Sequence, residues 1–194
     1  MKNLIKLSIR ILFTVIIMPL YIFYFLSTVI GNKDDVFRSF SQFFSLIPGK
    51  LGVYSRSAFF QLTMTHCDLD LVVSFGVLFS QQDTELYSGC YIGPQSNIGM
   101  CRIETNCLLG SGVHVMSGKG QHNFDDLDKP LREQGGTFSK VIIGEDTWIG
   151  NGALIMANVG KKCIVAAGSV VVHDIPDYSI IAGNPAKIIK TRHN

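Results

Sequence analysis

The sequence predicts an all-β fold, a parallel β-helix, behind a hydrophobic N-terminal segment. Three observations carry this. Apolar residues recur every sixth position from Val73 onward. One long polar insertion interrupts that repeat between Val115 and Ile143. The surplus hydrophobicity of the chain is concentrated between residues 11 and 30.

The repeat comes first because it decides the fold. Val73 and Phe79 form one pair of anchors; Leu86, Ile92 and Ile98 follow in one register, and Ile103, Leu109 and Val115 in the next. Beyond the insertion come Ile143, Ile149 and Ile155, then Val159, Val165 and Val171. A spacing of six matches neither the helical period of 3.6 nor the alternation of a sandwich strand. It suits one short strand and one tight turn, three such units closing a coil. Four residues after an anchor the side chain is small: Cys90, Ser96, Cys107, Thr147, Ala153, Cys163, Ser169. Glycine often follows the anchor directly, as at Gly93, Gly110, Gly144 and Gly150, where it is expected to permit turn angles. Stacked coils of this kind bury one continuous core. The β-helix is assigned to residues 66–176 and a tail to residues 177–194.

Composition narrows the class. The chain has 194 residues and a net charge of +2, without the basic footprint of a nucleic-acid binder. Its five cysteines (67, 90, 101, 107, 163) are an odd number without a CxxC pair, which argues against a disulfide framework or a zinc knuckle. Cys90, Cys107 and Cys163 occupy the small slot and read as structural. Reduced thiols fit a cytosol-facing domain.

The apolar fraction is 47% and the mean hydropathy +0.29. ILFTVIIMPLYIFYFLSTVI (11–30) carries no charge; at ~1.5 Å per residue it reaches ~30 Å, the depth of a bilayer's hydrocarbon. It is too long for a signal-peptide core. Residues 1–33 are therefore read as a membrane anchor. Basic residues stand on both sides (Lys2, Lys6, Arg10; Lys33, Arg38, Lys50), and Pro19 interrupts the run, so a full span and a re-entrant hairpin are both open. Residues 34–65 read as amphipathic helices: Val36, Phe37, Phe40, Phe43, Phe44 and Ile47 make a helical stripe. Asp34 or Asp35 is the expected cap, Pro48-Gly49 the stop, and the membrane interface the expected seat.

Here the residues resemble a family. IIGEDTWIGNGALI, the histidine in the inserted loop, AAGSVVVHDIP and the closing IIAGNPAKIIK together resemble the hexapeptide-repeat acyltransferases, in the branch that O-acetylates sugars and antibiotics. The resemblance implies a left-handed β-helix, a homotrimer with active sites between subunits, and acetyl-CoA as acyl donor with no metal. It places the donor along Trp148, Gly150, Asn151, Gly152, Ala167 and Gly168, with Lys187 and Lys190 toward the CoA phosphates. Val172-His173 departs from the Thr-Lys pair that relatives often carry there.

The insertion, loop 117–140, is where chemistry is expected. Long polar loops on a solenoid have no structural use for the core. Acyl transfer to an alcohol needs a base, and imidazole suits neutral pH. His122 is the candidate, and its place in the loop just before the WIG coil matches the family's catalytic histidine. Asp125 or Asp126 is a candidate to orient its ring, as in triads, though a backbone carbonyl could serve. Asn97 and Arg132 are candidate acceptor contacts. His114 reads as structural, with substrate contact as the alternative; His66 has no motif and His193 lies in the tail.

The expected function is a membrane-associated O-acetyltransferase facing the cytoplasm, where the donor is found, acting on a sugar hydroxyl of a glycan or lipid-linked precursor. A bacterial inner membrane is the expected site. The alternatives are a non-catalytic scaffold at the membrane, acetylation of a small soluble acceptor, or a hydratase of the carbonic anhydrase kind. The last needs three histidines around a metal, and His114 and His122, eight apart, lack the spacing.

Overall fold

The computed structural model describes residues 2–192, with side chains from Lys6 onward; His193 lies outside the described residues. Three helices precede the solenoid: α1 (Lys2–Ile30), α2 (Lys33–Ser45) and α3 (Gly49–Thr63). Asn32 caps α2, its side chain accepting from the backbone N–H of Asp34 and Asp35. The two aspartates expected as caps instead lie in the first turn, where their charge suits the helix dipole. Pro19 is accommodated inside α1, which continues through it.

The solenoid has about six coils. Its mostly two-residue strands line up as three parallel sheets, or faces. His66–Cys67, Glu85–Leu86, Cys101–Ile103 and Val141–Ile143 make the first. The second runs from Val72–Val73 through Tyr91–Ile92, Leu108–Leu109, Trp148–Ile149 and Ile164–Val165 to Ser179–Gly183. Leu78–Phe79, Asn97–Ile98, His114–Val115, Leu154–Ile155 and Val170–Val171 make the third. Anchors pair with anchors, as Ile92 with Leu109 and Ile149 with Val165. Every anchor and every small-slot residue named above is buried. Each buried aliphatic anchor contributes ~1.5–3 kcal/mol. All five cysteines are free and buried.

Glycine after the anchor has a different role from the one expected. A Cβ on Gly150 would lie 2.5 Å from the backbone N of Ala167 in the next coil. A Cβ on Gly144 would lie 2.5 Å from that of Lys161. These glycines allow neighbouring coils to approach. The left-handed backbone falls three residues after the anchor, as at Gly152 (φ +66) and Gly168 (φ +68).

The β-helix also runs further than the sequence boundary at residue 176. Ile181 pairs with Val165 and is buried, so residues 179–183 extend the second face. Ala186–Thr191 then folds back antiparallel on Ser179–Gly183 and closes that end.

The helices close the other end. An exposed edge coil would present unpaired backbone groups. Ser45 O accepts from Gly76 N (3.0 Å), Ser41 Oγ from Phe79 N (2.9 Å), and Asp34 Oδ1 from Gln82 N (2.9 Å). The buried Arg56 donates through Nε to Val73 O and through Nη1 to Phe44 O and Ile47 O. Burial lowers its pKa to about 10, so it remains charged at neutral pH. Phe37, Phe44, Phe59 and Phe60 are buried; Phe44 stacks on Phe59 at 4.5 Å and Phe60 meets Phe79 at 4.7 Å. Most of the α2 stripe expected at a membrane interface is thus spent on the open end of the solenoid. Phe43 remains exposed.

Candidate active site

The insertion is an ordered arm leaving the solenoid after His114–Val115. Its two legs pair antiparallel: Ser139 N donates to Ser117 O (3.0 Å), Thr137 N to Gly120 O (2.6 Å), and Asn123 N to Gly135 O (2.9 Å). Gln134 organises the tip, donating to Asp126 O and Lys129 O and accepting from Asp126 N. Gly136 lies flat against Gln121 and His122; a Cβ there would sit 2.8 Å from His122 N and collide with the Gln121 carbonyl. At the root, Lys140 Nζ reaches Asp83 Oδ1 and Glu85 Oε1, both at 2.6 Å. The hydrogen bond from Lys140 holds each carboxyl below its ordinary value of 3.8 or 4.5.

His122 stands exposed on the first leg. Neither Asp125 nor Asp126 is bonded to it. Asp126 Oδ1 accepts from Asp128 N (3.1 Å) and Oδ2 lies 3.9 Å from Lys129 Nζ. Asp125 faces the tip with Asn123 and Lys129. Asp126 ties the arm's own turn, and the ring has no carboxylate orienter within the described residues of one chain.

Beside the arm, a cleft of about 270 Å³ opens on the third face. Asn97 and His114 are register neighbours there and both are exposed. Gln121, next to His122, lines the same cleft, as do Arg38 and Gln42 of α2. Asn97 and His114 thus lie side by side in this cleft, both pointing outward. For His114, its place one residue before a buried anchor was the available signal. The α2 residues could not be found from the repeat, because no spacing rule connects them to the third face. Arg132 is not brought to the cleft; its side chain is 85% exposed and pairs with Glu133.

The other candidates gather elsewhere. Trp148 is exposed on the second face and lines a groove of about 200 Å³ with Leu108, Ile164 and Arg192. Lys187 and Lys190 lie on the last strand of that sheet. Gly150, Asn151 and Gly152 form the corner between second and third faces, with Ala167 and Gly168 stacked on it: Gly168 N donates to Asn151 O (2.9 Å). Asn151 Oδ1 accepts from Ser111 N (3.0 Å), tying the corner to the preceding coil. The donor candidates thus share one face and its corner, and His122 and Asn97 share another region of the same solenoid. Among the described residues no group of three His, Cys, Asp or Glu stands ready to hold a metal ion.

Fold and site together define a parallel β-helix of hexapeptide repeats carrying an ordered histidine arm beside a cleft. No protein-family model matches the chain. A probable acetyltransferase of Mycobacterium tuberculosis is 42% identical over 73 residues, 37% of this chain and 24% of that protein. A hexapeptide-repeat-containing acetyltransferase from Vibrio cholerae has a similar structure, with TM-score 0.65 and 21% identity over 85% of this chain and 96% of that one. An N-acyltransferase from Bacillus cereus, solved with coenzyme A and an amino-sugar nucleotide, has TM-score 0.53 and 19% identity over 64% of this chain and 71% of that one. The chain spans a quarter to a little over half of the first curated relatives it matches (24%, 34% and 57%). The chain shares the left-handed β-helix fold of these solved structures, and the relatives named here are acetyltransferases or acyltransferases.

Proposed function

We propose that the protein is an acetyl-CoA-dependent O-acetyltransferase that modifies a sugar hydroxyl of a glycan or lipid-linked glycan precursor at a membrane, with His122 as general base. The arm carries this reading. A segment with no part in the core is bonded along both legs, so a histidine is held beside a cleft that Asn97, His114 and Gln121 line. Acetyl-CoA supplies an acyl carbon activated as a thioester. His122 takes the acceptor's hydroxyl proton as its oxygen bonds to that carbon, and returns the proton to the departing thiolate. Asn97, His114 and Gln121 offer hydrogen bonds that fix the acceptor. Trp148, the corner at Gly150, Asn151, Gly152, Ala167 and Gly168, and the cations of Lys187 and Lys190 form the donor groove. In a homotrimer the second face of one copy meets the third face of the next, which brings groove and arm together and supplies the orienting partner His122 lacks within one chain. The exposed apolar face of α1 seats the protein on the membrane, with the solenoid on the cytoplasmic side where the donor is made.

The test is CoA release from acetyl-CoA by membranes holding wild type or His122→Ala. Equal turnover sinks the assigned base. Calorimetric titration with CoA separates the enzyme from a scaffold, which would give no heat.

A further inference from the structure

Helix α1 has two apolar faces used differently. One is docked on the protein. Arg10 Nη2 meets Asp70 Oδ1 of the first coil at 2.6 Å. The Phe13 ring stands 5.4 Å from Tyr54, and the Tyr24 ring 5.5 Å from Phe59 and 5.4 Å from Phe40. Ile17, between them, is buried. These positions recur at helical spacing, so α1 is fastened to its own domain from residue 10 to residue 24, about 21 Å of helix. The other face is open: Val15, Ile22, Phe23, Leu26 and Val29 are 53–73% exposed, and no charge stands between residues 11 and 30.

A helix crossing a bilayer is surrounded by lipid or by other membrane segments. This one would drag the first coil, with Asp70 70% exposed, into hydrocarbon. Lying flat, it needs to bury only its outer face. The neighbours agree: Phe43 of α2, Leu46 just after it and Leu51 of α3 are exposed. Lys6, Lys33 and Lys50 are exposed at the ends and flank, where anionic headgroups would meet them.

Helix α2 then stands between lipid and cleft. Its Arg38 and Gln42 line the cleft with Asn97 and His114. Its Ser39, Phe40 and Phe43 line, with Leu20 and Phe23 of α1, an apolar groove of about 260 Å³. At about 100° per residue, Gln42 and Ser39 are only ~60° apart around the helix, so cleft and groove adjoin across a single ridge.

We propose that the protein is monotopic, with α1 lying in the plane of one leaflet and the cleft opening at headgroup level across α2, so that the acceptor is the polar head of a lipid drawn from that leaflet. The seating stands on α1 alone; the assignment of the acceptor rests on the cleft being the acceptor site proposed above.

The five native cysteines are buried, so single introduced cysteines can carry an environment-sensitive dye on the full chain. The sites are Leu12→Cys, Phe23→Cys and Ile30→Cys on α1, Gln42→Cys in the cleft, and Ile142→Cys, exposed on the first face, as a solenoid control. Vesicles are of phosphatidylethanolamine and phosphatidylglycerol, with bromine high on the acyl chain or near its end. In-plane seating predicts that the three α1 labels all shift on vesicle addition and are quenched alike, at least twofold more by the high bromine than by the low. Residues 12 and 30 are about 27 Å apart along the helix. A label deep at 23 and shallow at 12 and 30 would mean a span and overturn the proposal, as would no response to vesicles. The label at 42 is expected to be shielded from aqueous iodide relative to 142 and out of reach of either bromine. Equal iodide quenching at 42 and 142 would remove the cleft from the membrane surface. His122→Ala leaves all these depths unchanged, so failure of the seating and failure of the catalytic reading are told apart.

Discussion

The solenoid and the arm are held by different forces. In the solenoid, anchors such as Ile92, Ile149 and Val165 are fully buried and stacked in register. In the arm, residues 119–133 are almost all exposed; Phe124 is 71% and Leu127 95% exposed. Its order comes from backbone pairing of the two legs, the Gln134 bonds at the tip and the Lys140 clasp at the root. Burial therefore secures the scaffold, while directional bonds position the histidine. Stability and activity should be separable by mutation.

The largest expected effect is on the arm. His122→Ala should lower turnover by about 10²–10⁴, the usual contribution of a general base, with no shift in the thermal midpoint. A large loss of stability would mean that the arm is not separate from the core. The converse is Ile149→Ala. It should cost about 2–5 kcal/mol in urea unfolding, from lost transfer energy and the cavity left behind, while turnover per folded molecule stays the same. Gly136→Ala tests positioning. The added Cβ must displace the Gln121–His122 backbone, and a displacement near 1 Å can cost up to about a hundredfold. Turnover should fall with little change in the melt.

The smallest effect is the clasp. Asp83 and Glu85 are held below their ordinary values of 3.8 and 4.5 by Lys140. Their contribution is complete above those values and is lost as pH falls through the lower folded ones. The side chain of Asp83 is 55% exposed, so the clasp is worth ~1 kcal/mol or less. Lys140→Met should be slightly less stable than wild type at pH 7, with the difference vanishing in strong acid. A difference that persists there would assign the effect to packing.

Much of the fold is legible in the sequence because a stacked coil repeats the same environment. The apolar slot at Ile143, Ile149 and Ile155 and the small slot at Thr147 and Ala153 each recur at one spacing. The reason for the glycines was not legible: close approach of two coils and permissive backbone angles call for the same residue. The boundary at residue 176 was missed because Ile181 has only Ile175 before it as a partner in the count. The histidine stood out because its loop breaks the period. Its surroundings did not, since Arg38 and Gln42 come from a helix about eighty residues upstream of His122.

The six-residue period, and with it the β-helix, the place of the arm and the uncharged helix at the start can all be read along the chain. Those are local properties, set by which side chains must be buried along one strand and turn. Only after folding do α2 and α3 close the open end of the solenoid, does Asp126 bond within the arm rather than to His122, and does α1 lie fastened lengthwise to its own domain. Each of these depends on which surfaces meet after the chain has folded back on itself, and hydrophobic burial has no direction of its own to write that choice into a linear pattern.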